Sequence, residues 1–184
     1  MALVGVVADD LTGANDTAVQ FSKQGLRAVV LLDSSNLAQP SLDPDVLVID
    51  TASRSLSPAD AAASVTSAVE ALGQRGVSLL YKKLDSTLRG NIASEIVAAL
   101  DAFGGQACLV APAFPALSRV TVGGYQLAGQ MLTAETRDGP LRAAEHAHLP
   151  TLLANIGSSS VGHLALLDIR QSADRLEQKI RGLV

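Results

Sequence analysis

An α/β domain, with a mainly parallel sheet covered by helices on both faces, is the fold class this sequence predicts. Three observations support it. Short apolar runs rich in Val, Leu and Ile alternate with longer stretches whose apolar residues recur at three- and four-residue spacing. The strand-like runs are apolar throughout rather than alternating with polar residues, as expected of strands buried on both faces. The composition, 48% hydrophobic and 17% charged over 184 residues, supplies a substantial core for one domain spanning 1–184.

Residues 3–8 read as the first strand. Residues 9–16 form a strand-to-helix turn with three carboxylates, in which Thr12 suits a helix cap and Gly13 a close approach. Residues 17–23 have helical spacing, and Gly25 suits the stop. Residues 27–32 are a second strand, 33–43 a polar loop with Pro40, and 45–49 a third strand ending at Asp50-Thr51. Ser57-Pro58 starts a helix, serine as cap and proline in the first turn, whose core face carries Ala62, Val65, Val69 and Leu72. Residues 77–81 are strand four, and 91–103 an amphipathic helix with Ile92, Ile96, Val97 and Leu100. Residues 107–111 read as strand five, which would bury Cys108 as an inert thiol. Beyond Pro112 the alternation breaks. Residues 122–132 form a small hairpin insertion with its turn near Ala128-Gly129, 150–156 a short helix, 164–168 a sixth strand and 171–181 a last helix. Gly157 to Ser160 is a short flexible stretch.

Several classes are excluded. A net charge of −4 without a basic stripe argues against nucleic acid. No run approaches the ~20 apolar residues of a membrane span, and no signal peptide opens the chain, so a cytoplasmic protein is expected. A single cysteine excludes an internal disulfide. His146, His148 and His163 lack metal-ligand spacing and read as surface residues, so no metal site is expected. Neither common phosphate-cradling glycine loop is present.

In open parallel sheets, ligands bind beyond the carboxyl ends of the strands. There the first strand delivers Asp9 and Asp10, and the third Asp50, Thr51, Ser53 and Arg54. The fourth delivers Lys82, Lys83, Asp85, Ser86, Thr87 and Arg89, and the fifth Arg119 and Thr121. Five of the fourteen Lys and Arg residues fall in these loops. Cations, carboxylates and hydroxyls on one edge suit a small polyhydroxylated anion. Bland readings stand beside this one: Asp50 stabilising its own turn, and Arg89 pairing with Asp85 on the surface. Because a strand alternates faces, Lys82 and Lys83 cannot both enter one cleft, and which of them does stays open.

The motifs ADDLTGANDT at 8–17, YKKLDSTLRGN at 81–91 and APAFP at 111–115, continuing to Arg119 and TVGGY at 121–125, resemble the four-carbon acid sugar kinases. The similarity is to the N-terminal, sugar-holding domain and is strongest over residues 1–132. Asp138-Gly139-Pro140 and His148-Leu149-Pro150-Thr151 echo it further on. DTASR at 50–54 resembles another family motif, with Ala52 where an acidic residue is usual.

The resemblance implies an ATP-dependent kinase acting on tetronates or 3-oxo-tetronates. ATP and Mg would be held mainly by a C-terminal domain beyond this chain, leaving this part inactive on its own. Arg54, Arg89, Arg119 and one of Lys82 or Lys83 would meet the sugar carboxylate or incoming phosphate. Asp9, Asp10, Asn15 and Asp16 would hold hydroxyls, with Asp10 as base and Asp85 its competitor. Ser86, Gly123, Gly124 and Tyr125 complete the expected substrate set. Expected partners are the sugar acid and the nucleotide-binding domain, with a homodimer as an option. The alternatives are a dehalogenase-type Mg-dependent phosphatase with Asp10 as nucleophile, and a non-catalytic ligand-binding module.

Overall fold

A computed structural model describes residues 4–34, 43–128, 147–154 and 161–183. The expected hairpin residues Gly129 to Leu132, the Asp138-Gly139-Pro140 motif, His146, Ile156, the Gly157 to Ser160 stretch and Pro40 lie outside them. Strand β1 (Val4–Ala8) is buried along its whole length because it pairs on both sides. Its neighbours are β3 (Val46–Asp50) and β4 (Leu79–Lys83), with β2 (Ala28–Leu31) beyond β3, giving the order β2-β3-β1-β4, all parallel. The register sets Val7 and Ala8 of β1 against Lys82 and Lys83 of β4.

Alternation along these strands divides the core into two layers. Val4, Val6, Ala8, Val46 and Val48 pack with Ala14 and Ala18 of α1 (Leu11–Lys23). Val7, Leu47 and Ile49 pack on the other face with Val65, Val69 and Leu72 of α2 (Pro58–Gln74) and with Ala98 and Ala99 of α3 (Ile92–Phe103). Helix α2 starts as the sequence indicates: Ser57 Oγ accepts the Asp60 amide and Pro58 occupies the first turn.

Helix α1 starts six residues earlier than its apolar spacing predicts. Asp10, not Thr12, is its cap, accepting the Gly13 amide at 2.8 Å. The buried face of α3 is also rotated from the expected one, taking in Ala93 and Glu95 while Val97 and Leu100 are only partly covered. Strand β4 runs two residues later than expected, so Lys82 and Lys83 belong to the strand rather than to the loop after it.

The chain divides into two compact units, and these elements make up the first, residues 4–85 and 89–105 of the described set. The second comprises 86–88 and the described residues from 106 onward. In it β5 (Arg119–Val122) and β6 (Tyr125–Ala128) pair antiparallel. The turn is Gly123-Gly124 rather than Ala128-Gly129, and both glycines have positive φ (57° and 84°), the conformation a two-residue hairpin turn with the sheet's twist demands. Residues 107–111 are not a strand: Leu109 is 82% exposed and Cys108 is exposed, so the expected buried thiol is not found. An apolar run this short signals burial only where a sheet edge receives it. Residues 164–168 do not form the sixth strand either. Asp168 accepts the Ala165 amide, a local capping bond that starts α5 (Leu166–Ile169) instead. Helices α4 (Leu149–Ala154) and α6 (Ala173–Arg181) agree with expectation. Among the described residues no helix is long and apolar enough to cross a membrane.

Candidate functional site

Two adjacent carboxylates leave β1, and such a pair stands only where a cation compensates it. The cation is Arg54. Its Nε and Nη2 donate to the two oxygens of Asp9 at 2.7 and 3.0 Å, and its Nη1 donates to Asp10 Oδ2 at 2.5 Å. The Asp9 side chain is 3% exposed and that of Asp10 28%, so the fork faces an inner and an outer acid. Hydrogen bonding to Asp9 raises the Arg54 pKa further; burial opposes this, and the charges of Asp9, Asp10 and Asp85 support it. The other oxygen of Asp10 caps α1. Arg54 is therefore engaged by protein carboxylates rather than held ready for an anion, a correction to its expected role.

Asp85 is the second acid. Its Oδ2 accepts from Arg89 Nε at 2.6 Å and from the Arg89 backbone amide at 3.2 Å. The Arg89 side chain is 68% exposed, so the plain ion-pair reading holds while the guanidinium still faces solvent. The Asp85 hydrogen bond and charge raise the Arg89 pKa, with smaller opposed contributions from Arg54 and Asp10. Asp10, Arg54, Asp85 and Arg89 thus act on one another as a single electrostatic cluster at the carboxyl ends of β1, β3 and β4. Gly90 closes it: with φ at 90°, its α-carbon lies so near that a Cβ would stand 3.3 Å from Arg54 Cγ and 3.4 Å from Asp9 Oδ2.

The two lysines separate as strand alternation requires. Lys82 turns to the α3 side, where its Nζ lies 2.6 Å from Glu95 Oε2 in a pair 8% and 1% exposed. Lys82 is therefore a buried structural cation. Lys83 lies on the α1 side, beside Gly13 in the first turn, and donates to the Leu84 carbonyl. Asn15 and Asp16 are exposed on α1. Asp50 accepts the Ala52 amide at 2.9 Å and steadies its own turn, the bland alternative.

Ser86, Arg119, Gly123, Gly124 and Tyr125 belong to the second unit. The Ser86 carbonyl accepts from the buried Gln126 side chain, which also takes the Thr121 hydroxyl. Cross-strand register puts Arg119 on the hairpin face of Thr121 and Gln126, and Tyr125 on the opposite face with Val122. Arg119 Nε is buried without a hydrogen-bond partner among the described residues. Tyr125 instead meets His148, ring centroids 4.5 Å apart, and His148 Nδ1 lies 2.6 Å from Thr151 Oγ1.

Sequence reading missed Glu95, Ser53 and Asn91, which hold the Arg54 loop. The signal available was a carboxylate set on an apolar helical stripe, three residues after Ile92 and one before Ile96. Among the described residues no group of three His, Cys, Asp or Glu could hold a metal ion.

Comparison with known proteins agrees with this geometry. A D-threonate kinase of Bordetella bronchiseptica is 44% identical over 156 residues, 82% of this chain and 38% of that protein. A 3-oxo-tetronate kinase of Burkholderia multivorans is 36% identical, covering 87% of this chain and 39% of its own length. A solved structure from Bordetella bronchiseptica, a domain of unknown function with bound citrate in a domain-swapped dimer, superposes with a TM-score of 0.80 at 36% identity. That match covers 100% of this chain and 46% of that one. The chain thus spans less than half the length of these relatives. The model of the sugar-binding N-terminal domain matches residues 4–184, and the chain belongs to that family.

Proposed function

We propose that this chain is the substrate-holding part of an ATP-dependent kinase for four-carbon acid sugars, tetronates or 3-oxo-tetronates, acting in the cytoplasm. The observation that carries the reading is the Asp9–Arg54–Asp10 cluster with the solvent-facing Arg89 beside it. Fixed carboxylates hold hydroxyls in defined directions, while an exposed guanidinium fork takes a carboxylate or phosphate. Arg89 and Lys83 are the cations for the anionic end of the sugar, since Arg54 and Lys82 serve protein carboxylates. Of the two acids expected to compete as base, Asp10 is the more exposed and receives the proton of the attacking hydroxyl. Arg119, Ser86, Gly123, Gly124 and Tyr125 remain proposed substrate residues by family motif. Asn15 and Asp16 remain hydroxyl holders on the exposed side of α1.

The described residues do not fit a nucleotide cradle or a metal cluster, so ATP and Mg fall to the remainder of a longer kinase. Citrate, bound by the Bordetella structure, is a hydroxycarboxylate like a tetronate, and the swapped dimer there supports a second copy as partner.

Calorimetry with D-threonate, D-erythronate and L-threonate tests the reading. Heat is expected with at least one of them, weakened about tenfold in Arg89→Ala. No heat with any of the three would overturn it.

A further inference from the structure

Arg54 follows a stretch of backbone with little intrinsic reason to hold its shape. Ala52 has φ of 48°, in the left-handed region that alanine seldom adopts. The loop is stitched to the exit of β1 by the Thr51 hydroxyl donating to the Ala8 carbonyl at 2.8 Å and the Arg54 amide donating to the Asp9 carbonyl at 3.2 Å. On its other side it is held by α3. Asn91, at the N-cap position of α3, makes no side-chain capping bond to its own helix. Its amide donates instead to the carbonyls of Ser53 and Leu56, at 3.2 and 3.0 Å. Ser53, fully buried, donates its hydroxyl to Glu95 Oε1 at 2.7 Å, while the other Glu95 oxygen meets Lys82. A buried ion pair is weak in net stability, and apolar residues of similar volume commonly replace one without loss. What this pair does achieve is to fix one carboxylate oxygen where Ser53 needs an acceptor.

We propose that Glu95, Ser53 and Asn91 are positioning residues, a clamp from α3 that sets the Arg54 fork on Asp9 and Asp10. The inference rests on reading that cluster as the sugar-acid site. Lys82 serves as the tether that orients Glu95, and the hydrogen-bond geometry rather than the charge is the functional element.

The test follows the Arg54 side-chain Nε–H by NMR in the full chain, beside calorimetry with D-threonate. In the parent protein this proton is expected to exchange slowly. Ser53→Ala combined with Asn91→Ala is expected to speed its exchange about tenfold and weaken D-threonate about tenfold, while core amides of α2 stay protected. Lys82→Met with Glu95→Gln removes both charges but keeps the acceptor for Ser53, so exchange and affinity should stay within about twofold of the parent. Arg54 protection unchanged in the first variant overturns the proposal. So does affinity that merely tracks unfolding midpoints across both variants. If the parent shows no heat with D-threonate, the sugar-acid reading fails, and the Arg54 signal still decides whether the clamp exists.

Discussion

Replacing Arg54 by Met isolates the interaction on which the candidate site is built. The guanidinium holds both oxygens of Asp9, a side chain 3% exposed, and one oxygen of the more open Asp10. Methionine keeps most of the stem but leaves Asp9 as a buried carboxylate without its cation. Breaking such a pair from one side costs about 3–5 kcal/mol, a large fraction of the roughly 5–15 kcal/mol that stabilises a domain. Asp10 adds little, because water reaches it. Adding Asp9→Asn removes the stranded charge, so the double variant should lose less than the sum of the single losses, with a coupling of about 2–3 kcal/mol. Amide exchange at Val6 and Val7 of β1 reads this quantity, since those residues sit in the core of the same unit. The coupling should persist in ~1 M salt, which screens exposed charges far more than buried ones. An Arg54→Met cost within about 0.5 kcal/mol, the range of ordinary surface substitutions, would refute the reasoning.

Gly90→Ala should cost about 1–3 kcal/mol, because it strains a backbone at φ 90° and pushes a methyl against Arg54 and Asp9. Thermal unfolding with calorimetry on D-threonate checks this; an unchanged melting temperature and affinity would contradict it. Cys108 is exposed as a residue, yet partial burial pushes its thiol pKa up. A raised pKa means less thiolate at neutral pH, so alkylation should be slower at pH 8 than for a free thiol of pKa about 8.5, and should climb as pH passes 9. A rate that levels off below pH 8 would refute that.

Much of the first unit was legible in the chain. The four strands of the parallel sheet and the Ser57-Pro58 helix start follow from local patterns, as does the collection of polar residues after β1, β3 and β4. Errors arose where a local pattern permits two outcomes. Thr12 and Asp10 are both good caps, and Asp10 prevails because the helix begins right after β1, with Arg54 at hand for its second oxygen. Residues 107–111 have strand composition, but composition does not provide a sheet edge. The hairpin turn could be placed at either glycine-containing pair, and only Gly123-Gly124 supplies two residues free to take positive φ.

By itself, the sequence determined which residue types stand at the ends of the strands and which family they resemble, because both are carried by short contiguous motifs. Tertiary structure alone decided how the charges are shared out: Arg54 to Asp9 and Asp10, Lys82 to Glu95, Arg89 to Asp85 with its face to solvent. The physical reason is distance along the chain. Arg54 meets Asp9 across 45 residues, and Ser53 meets Glu95 across 42. A charge at a loop end has several partners within reach until the sheet register brings one of them to hydrogen-bonding distance.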